Sequence, residues 1–339
     1  MLVIGHIGNG KSTNRYHAPF ELQRPDKIRI KMIYQRNLQK FGWDKIPGVE
    51  YTDDLEKLLH DPEIQVIVVN TPSDQHYPMA KKVLEAGKHC VVEKPFATSV
   101  EEARELFQIA KSKNLMVQCY QNRRFDSDYL TTQKVIKSGK LGELFEVCMH
   151  YDYYRPQVPE NESSYSRDHA FIYTHACHTT DQVIALFGKP DEVRCDVKQL
   201  LGEGRMNDYF DLDFIYGNLK VSVQSSYFRA KVRPSFEVWG RRGYFVKAEQ
   251  DRQEADLKKF YMPDHADFGI DLPENFGTLI YYDADGNYHE EKVISERGDY
   301  GKFHDALYET IINGAPQLVT EEQTMEQMRI LELAGKNLK

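Results

Sequence analysis

The 339-residue chain is predicted to be an α/β protein. An N-terminal doubly wound parallel sheet is followed by an α+β domain with a large open, mainly antiparallel sheet. Three observations carry this. Up to about residue 120, continuously apolar runs alternate with amphipathic stretches, as expected of parallel strands covered on both faces. A Gly8-Asn9-Gly10 turn joins the first apolar run to the first helical one. From about residue 143 the pattern becomes alternating, as expected of strands with one wet face.

In the first part, apolar runs at 2–7, 28–34, 66–70, 90–92 and 116–119 are expected strands. Helices are expected over 55–59, 78–86 and 101–112. Gly87 can end the second of these, and Thr98 or Ser99 can cap the start of the third. In the second part, Phe210, Leu212, Phe214 and Tyr216 form one strand face against Asp211, Asp213 and Ile215 on the other. Val221, Val223 and Ser225 alternate with Lys220, Ser222 and Gln224. Further strands are expected at 145–153, 236–239, 277–282 and 289–294, with Asp285-Gly286 as a hairpin turn. Helices at 127–138, 174–187, 300–313 and 321–338 can cover one face of that sheet. The Tyr-, Pro- and Ser-rich stretch 151–165 reads as a long loop over a site. The expected domains are 1–120, binding a dinucleotide, and 121–339, binding substrate and forming oligomers.

Bulk composition narrows the function classes. The net charge is −8 with both signs interspersed, which gives no support to a nucleic-acid partner. Hydrophobic content is 41% and mean hydropathy −0.61, and no apolar run approaches the roughly 20 residues that span a bilayer. No membrane association is expected, and Met1-Leu2-Val3-Ile4-Gly5 lacks the features of a signal peptide. The five cysteines are widely spaced, as expected of reduced thiols in a cytoplasmic protein.

The turn after the first strand is the candidate nucleotide site. Gly8 permits the tight turn and Gly10 lets the backbone approach a pyrophosphate, the arrangement of a Rossmann dinucleotide domain. Thr13 stands where a third glycine is usual. Lys11, Ser12 and Thr13 are candidate phosphate contacts, with Asn9 in the turn itself. Gly5 with Gly10-Lys11-Ser12 also spells a P-loop. That match reads as coincidence, because the strand would end at Ile4 and 66–69 leads to Asn70-Thr71 rather than to an aspartate. After the second strand there is no carboxylate for a ribose 2′-hydroxyl. Arg36 could instead pair with a 2′-phosphate, favouring NADP with NAD as the alternative.

Chemistry is expected at the strand ends. Thr71, Pro72 and His76 follow the strand at 66–70, and Glu93-Lys94-Pro95 follows the next one. A lysine there can stabilise an alkoxide, although Glu-Lys-Pro alone is also an ordinary loop sequence. Thr174, His178 and Asp181 fall on one face of an expected helix, where His178 could exchange a proton with a substrate hydroxyl. A buried structural histidine fits the same pattern. His175 and His178 lack a clear third ligand, so no metal is expected.

Together these segments resemble the Gfo/Idh/MocA oxidoreductases, in particular the YhhX-like branch. The resemblance runs through residues 8–13, Thr71-Pro72 with His76, Glu93-Lys94-Pro95, residues 120–125, and His178 with Asp181. It implies a cytoplasmic, pyridine-nucleotide-dependent enzyme interconverting an alcohol and a ketone of a sugar, a polyol or a similar small molecule. Lys94 and His178 would be catalytic, and Glu93 and Gln121 would join the cofactor site. Asn122, Tyr154, Arg155, Thr174 and Asp181 are candidate substrate contacts, and Lys94-Pro95 is a candidate cis peptide. The second sheet is expected to form a homodimer or higher homo-oligomer. Many members carry aspartate where Thr174 stands and glycine where Ala176 stands. A dinucleotide-binding sensor without turnover is therefore the alternative.

Overall fold

Leu2–Ile7 (β1) is buried along almost its whole length because it pairs on both sides, with β2 (Ile28–Tyr34) and β4 (Val66–Val69). The computed structural model describes residues 1–40, 42–161, 164–167, 169–248 and 250–338. Adding β3 (Glu50–Thr52), β5 (His89–Val92) and β6 (Val117–Cys119) gives a six-stranded sheet in the order 3-2-1-4-5-6. Every pair in it is parallel. This is the predicted Rossmann sheet, and its order reverses between β1 and β4, where a crevice opens at the carboxyl edge. Gly5 lies within β1, aligned with Met32 and Ile67 on its neighbours. A P-loop would have to leave the strand there, so that reading is excluded.

Local signals hold at the helices of this sheet. Ser99 caps Val100–Ser112 by accepting the Glu102 N–H at 3.2 Å, while the Glu102 carboxylate accepts the Thr98 N–H at 2.9 Å. The chain divides into two compact units. The first holds residues 1–122, 254–268 and 300–328, and the second holds 123–253, 269–299 and 329–339. Gly301–Asn313, expected to cover the antiparallel sheet, packs instead against β1 and the helix Ala18–Leu22. An amphipathic face shows that a helix is covered, not by what.

The second unit is built on β7 (Leu144–His150), β8 (Glu192–Lys198), β9 (Tyr209–Tyr216), β10 (Leu219–Ser226), β11 (Phe236–Gly240), β12 (Gly243–Lys247), β13 (Gly277–Tyr282) and β14 (Tyr288–Val293). Their order is 14-13-12-11-7-10-9-8, antiparallel except for the pair of β7 with β10. Phe210, Leu212 and Phe214 lie opposite Ser225, Val223 and Val221 and are fully buried. Each such large apolar side chain contributes about 1.5–3 kcal/mol. Ser127–Lys137 packs on β11 and β12, and Ala176–Phe187 on β10. The helix expected over 174–187 is broken. Phe171–Thr174 ends at His175, whose φ of −118° and ψ of −48° offset it from Ala176–Phe187. In the stretch 151–165, Gln157–Asn161 is a short helix and residues 162 and 163 lie outside the described residues.

Candidate active site

Gly8 is the residue on which the nucleotide turn depends. Its φ is +117°, and a Cβ there would sit 2.6 Å from the Asn70 carbonyl oxygen at the end of β4. Both the backbone conformation and the close approach exclude a side chain. Gly8 donates to the Tyr34 carbonyl at 2.9 Å, joining the turn to the end of β2. At Gly10 a Cβ would meet nothing within 4 Å, so the backbone there faces open space.

Thr13, at the usual third glycine position, is fully buried and closes the turn. Its hydroxyl donates to the Gly8 carbonyl at 2.7 Å and accepts from the Asn70 amide at 2.9 Å. The run Ser12–His17 is a π-helical turn, with the Ala18 N–H reaching back to the Thr13 carbonyl. Asn9 donates to Gln35 at 2.8 Å, and Gln35 donates in turn to the Asn37 and Lys40 carbonyls, each at 2.7 Å. Gln35 therefore braces the segment that carries the exposed Arg36. Lys11 is also exposed. Gln35 and Asn70 were missed in the sequence because amides carry no motif of their own.

The ends of β4 and β5 meet through His76. Its ring faces the Pro95 carbonyl at 2.6 Å from Nδ1 and the Thr71 carbonyl at 3.0 Å from Nε2. Burial pushes its pKa down, so the ring is neutral with one N–H, and the shorter contact assigns that proton to Nδ1. His76 thus holds the Thr71-Pro72 turn against the cis Lys94-Pro95 peptide. Glu93 accepts from Ser12, from His17 Nε2 at 3.0 Å and from the Lys94 N–H at 3.1 Å. Burial alone would raise its pKa. The bonds from His17 and Ser12 and the Lys94 charge outweigh that and hold the carboxyl at about 2.

These residues fit a dinucleotide. Asn70 Oδ1, the Thr71 hydroxyl and Gln121 Oε1 are buried at the carboxyl edge with no hydrogen-bond partner among the described residues. Gln121 donates from its other end to Gln327 at 3.2 Å. Ribose hydroxyls and a carboxamide are groups that would satisfy such atoms.

In the second unit, His178 lies in the first turn of Ala176–Phe187 and is 6% exposed. Asp181, one turn on, is held by Arg124 through two parallel bonds, at 2.8 and 2.7 Å. Because of the break at His175, Thr174 does not share a helix with His178. Its hydroxyl lies 2.9 Å from His175 Nδ1 and 3.1 Å from the Ala170 carbonyl. His175 is packed among Tyr153, Phe171 and Tyr227. Asn122 is buried, while Tyr154 and Arg155 are exposed, with the Arg155 guanidinium 4.7 Å from the Tyr153 ring centre. Arg124 stood in a recognised segment, but nothing in the sequence paired it with Asp181.

The chain is similar to known proteins over nearly its whole length. The family model for an oxidoreductase NAD-binding Rossmann fold matches residues 2–121, and that for the oxidoreductase C-terminal alpha/beta domain matches 133–337. The uncharacterized oxidoreductase YhhX of Escherichia coli (strain K12) is 43% identical over 96% of this chain and 94% of its own. The scyllo-inositol 2-dehydrogenase (NADP(+)) IolW of Bacillus subtilis (strain 168) is 31% identical over 99% of this chain and 93% of its own. An oxidoreductase crystal structure from Bacillus cereus superposes with a TM-score of 0.92 at 40% identity, covering 98% of this chain and 95% of that one.

Proposed function

The chain belongs to the Gfo/Idh/MocA oxidoreductase family. From that premise we propose that it transfers hydride between NADP(H) and a hydroxyl or keto group of a sugar, polyol or similar small molecule. The observation that carries this reading is the bond from Ser12 to Glu93, beside Lys94. It makes the glycine turn and the strand-end lysine one hydrogen-bonded assembly at the crevice edge of the sheet. The relative IolW, named for NADP(+) and scyllo-inositol, supports the polyol and the phosphorylated cofactor.

A bound dinucleotide would have its pyrophosphate held by the glycine turn and would supply or accept the hydride through its nicotinamide. Lys94 stabilises the substrate oxygen as its negative charge develops, and His178 exchanges the hydroxyl proton. Asp181, held by Arg124, acts on the helix of His178 rather than on substrate. Asn122, Tyr154 and Arg155 contact the substrate, while Thr174 acts through His175. Arg36 takes the 2′-phosphate, with Lys11 beside the pyrophosphate. Phe145, Trp239, Tyr282 and Tyr288 remain exposed on strands of the second sheet, which supports a homo-oligomer through that sheet. Five free cysteines support a cytoplasmic setting.

A steady-state screen of polyols and ketoses with NADP(H) tests the proposal. Lys94→Ala should lower kcat by about 10²–10³, as loss of an oxyanion donor does, with dinucleotide affinity little changed. Full activity in that variant would overturn the mechanism. Cofactor binding without turnover across the panel would instead favour a catalytically silent sensor.

A further inference from the structure

Near the glycine turn, and joined to the strand-end Glu93 through His17, the first unit buries a cluster of histidines and carboxylates. His17, Glu21 and His304 are each no more than 1% exposed, and one donor atom of each lies within 4.8 Å of the others. Among the described residues, His17 Nδ1, Glu21 Oε1 and both nitrogens of His304 have no hydrogen-bond partner. Glu21 Oε1 and His304 Nδ1 are 3.4 Å apart without forming an aligned hydrogen bond. Unpartnered buried polar atoms are rare and call for an occupant between them.

We propose that His17, Glu21 and His304 bind one divalent transition-metal ion, zinc by the character of the donors. Two imidazoles and a carboxylate are a borderline N₂O set of the kind zinc takes, with room for a water as fourth ligand.

The surroundings are arranged as they are around built metal sites. His17 Nε2 donates toward the Glu93 carboxylate at 3.0 Å, which leaves Nδ1, without a hydrogen-bond partner among the described residues, as the nitrogen that an ion would take. His6 Nδ1 accepts from Asn70 at 2.8 Å, which leaves the proton on Nε2, 2.9 Å from Glu21 Oε2. That bond fixes the rotation of the Glu21 carboxylate and leaves Oε1 facing His304 Nδ1 at 3.4 Å. The His17 ring is held in place by Tyr120, with centres 3.9 Å apart. His17 ends the π-helical turn and Glu21 follows four residues later in the helix Ala18–Leu22, whereas His304 comes from Gly301–Asn313. The ion would therefore staple these two helices, and through His17 it would brace Glu93 next to Lys94. Its role is structural, since every ligand is buried.

The test uses the full chain purified without a polyhistidine tag. Metal content by mass spectrometry should show about one zinc per chain. Removal with a chelator and return of Zn²⁺ should lower and then restore Tm by about 2–6 °C. Co²⁺ added to the metal-free chain should give the visible bands of a low-coordinate nitrogen–oxygen site. His17→Gln and His304→Gln should each abolish the Zn²⁺-dependent Tm shift, whereas His265→Gln, on the surface, should leave it intact. Absence of zinc, of a Zn²⁺-dependent shift and of cobalt bands in the unmutated chain would overturn the proposal, leaving these atoms to an ordered water. A shift that persists in both ligand variants would overturn it as well, by placing the ion elsewhere. If a variant does not fold, the metal content and cobalt spectrum of the unmutated chain decide alone.

Discussion

Arg124 and Asp181 form a fork-to-fork ion pair out of solvent, Nε to Oδ2 at 2.8 Å and Nη2 to Oδ1 at 2.7 Å. Both side chains are less than 10% exposed. The pair anchors the helix that carries His178 to the 3₁₀ turn Asn122–Phe125. Two planar groups matched in this way set the rotation of the helix as well as its position.

Removing one partner leaves a buried charge without compensation. Asp181→Ala should cost about 3–5 kcal/mol in urea unfolding. Arg124→Met combined with Asp181→Leu should recover much of that loss, because neither charge then remains. A double variant as unstable as the single one would show that the pair has no such role.

Gly8 and Gly10 should separate folding from cofactor binding. Gly8→Ala forces a side chain into φ +117° and against the Asn70 carbonyl, at a cost of about 1–3 kcal/mol. Gly10→Ala meets no protein atom, so its stability should be unchanged within about 0.5 kcal/mol. Dinucleotide affinity, read by fluorescence titration, should fall in both. Unchanged affinity in Gly10→Ala would remove this turn from the cofactor site.

Arg36 should discriminate between the two cofactors. Arg36→Ala deletes a charge-assisted hydrogen-bonding group worth about 1.5–3 kcal/mol. NADP(H) affinity should therefore drop about 10–100-fold while NAD(H) affinity barely moves. Equal losses for both would assign the 2′-phosphate to another residue.

Glu93 should give the fold an acid-sensitive component. Its carboxyl is held at about 2 against an ordinary 4.5, so the native state favours the ionised form. The resulting stability, about 3 kcal/mol, is fully present above pH 4.5 and is lost as pH falls toward 2. The gap in urea midpoint between the unmutated chain and Glu93→Gln should narrow across that window. Asp251 has the opposite sign. Burial, with Asp128 nearby, raises its carboxyl to about 6. It therefore costs stability as pH climbs from about 4 through 6, and Asp251→Asn should lessen that cost.

Strongly apolar strands and residues with special backbone needs were legible in the sequence. The strand at 28–34, the alternation at Phe210, Leu212 and Phe214, and the glycine at position 8 each carry their own signal, because burial period and allowed φ are local properties. Three strands went unread. β3 is only three residues long. β8 is an edge strand with every other residue exposed, and β12 runs Gly-Tyr-Phe-Val-Lys without clear alternation. Strands of this kind take their hydrogen bonds from neighbours that a local pattern does not name.

By itself, then, the sequence determined the two-sheet plan, the glycine turn after the first strand and the strand-end position of Lys94. Apolar period, glycine and strand order fix these within short windows. Tertiary structure alone decided that the helix before His178 breaks at His175, and that Thr174 turns to His175. It also decided that Asp181 meets Arg124, and that His304 joins His17 and Glu21. Each of these is a meeting of side chains from segments apart in the chain, or a backbone break set by surrounding packing. Hydrogen-bond and ion-pair partners become defined only when the fold has removed water and left each buried polar group with few others to face.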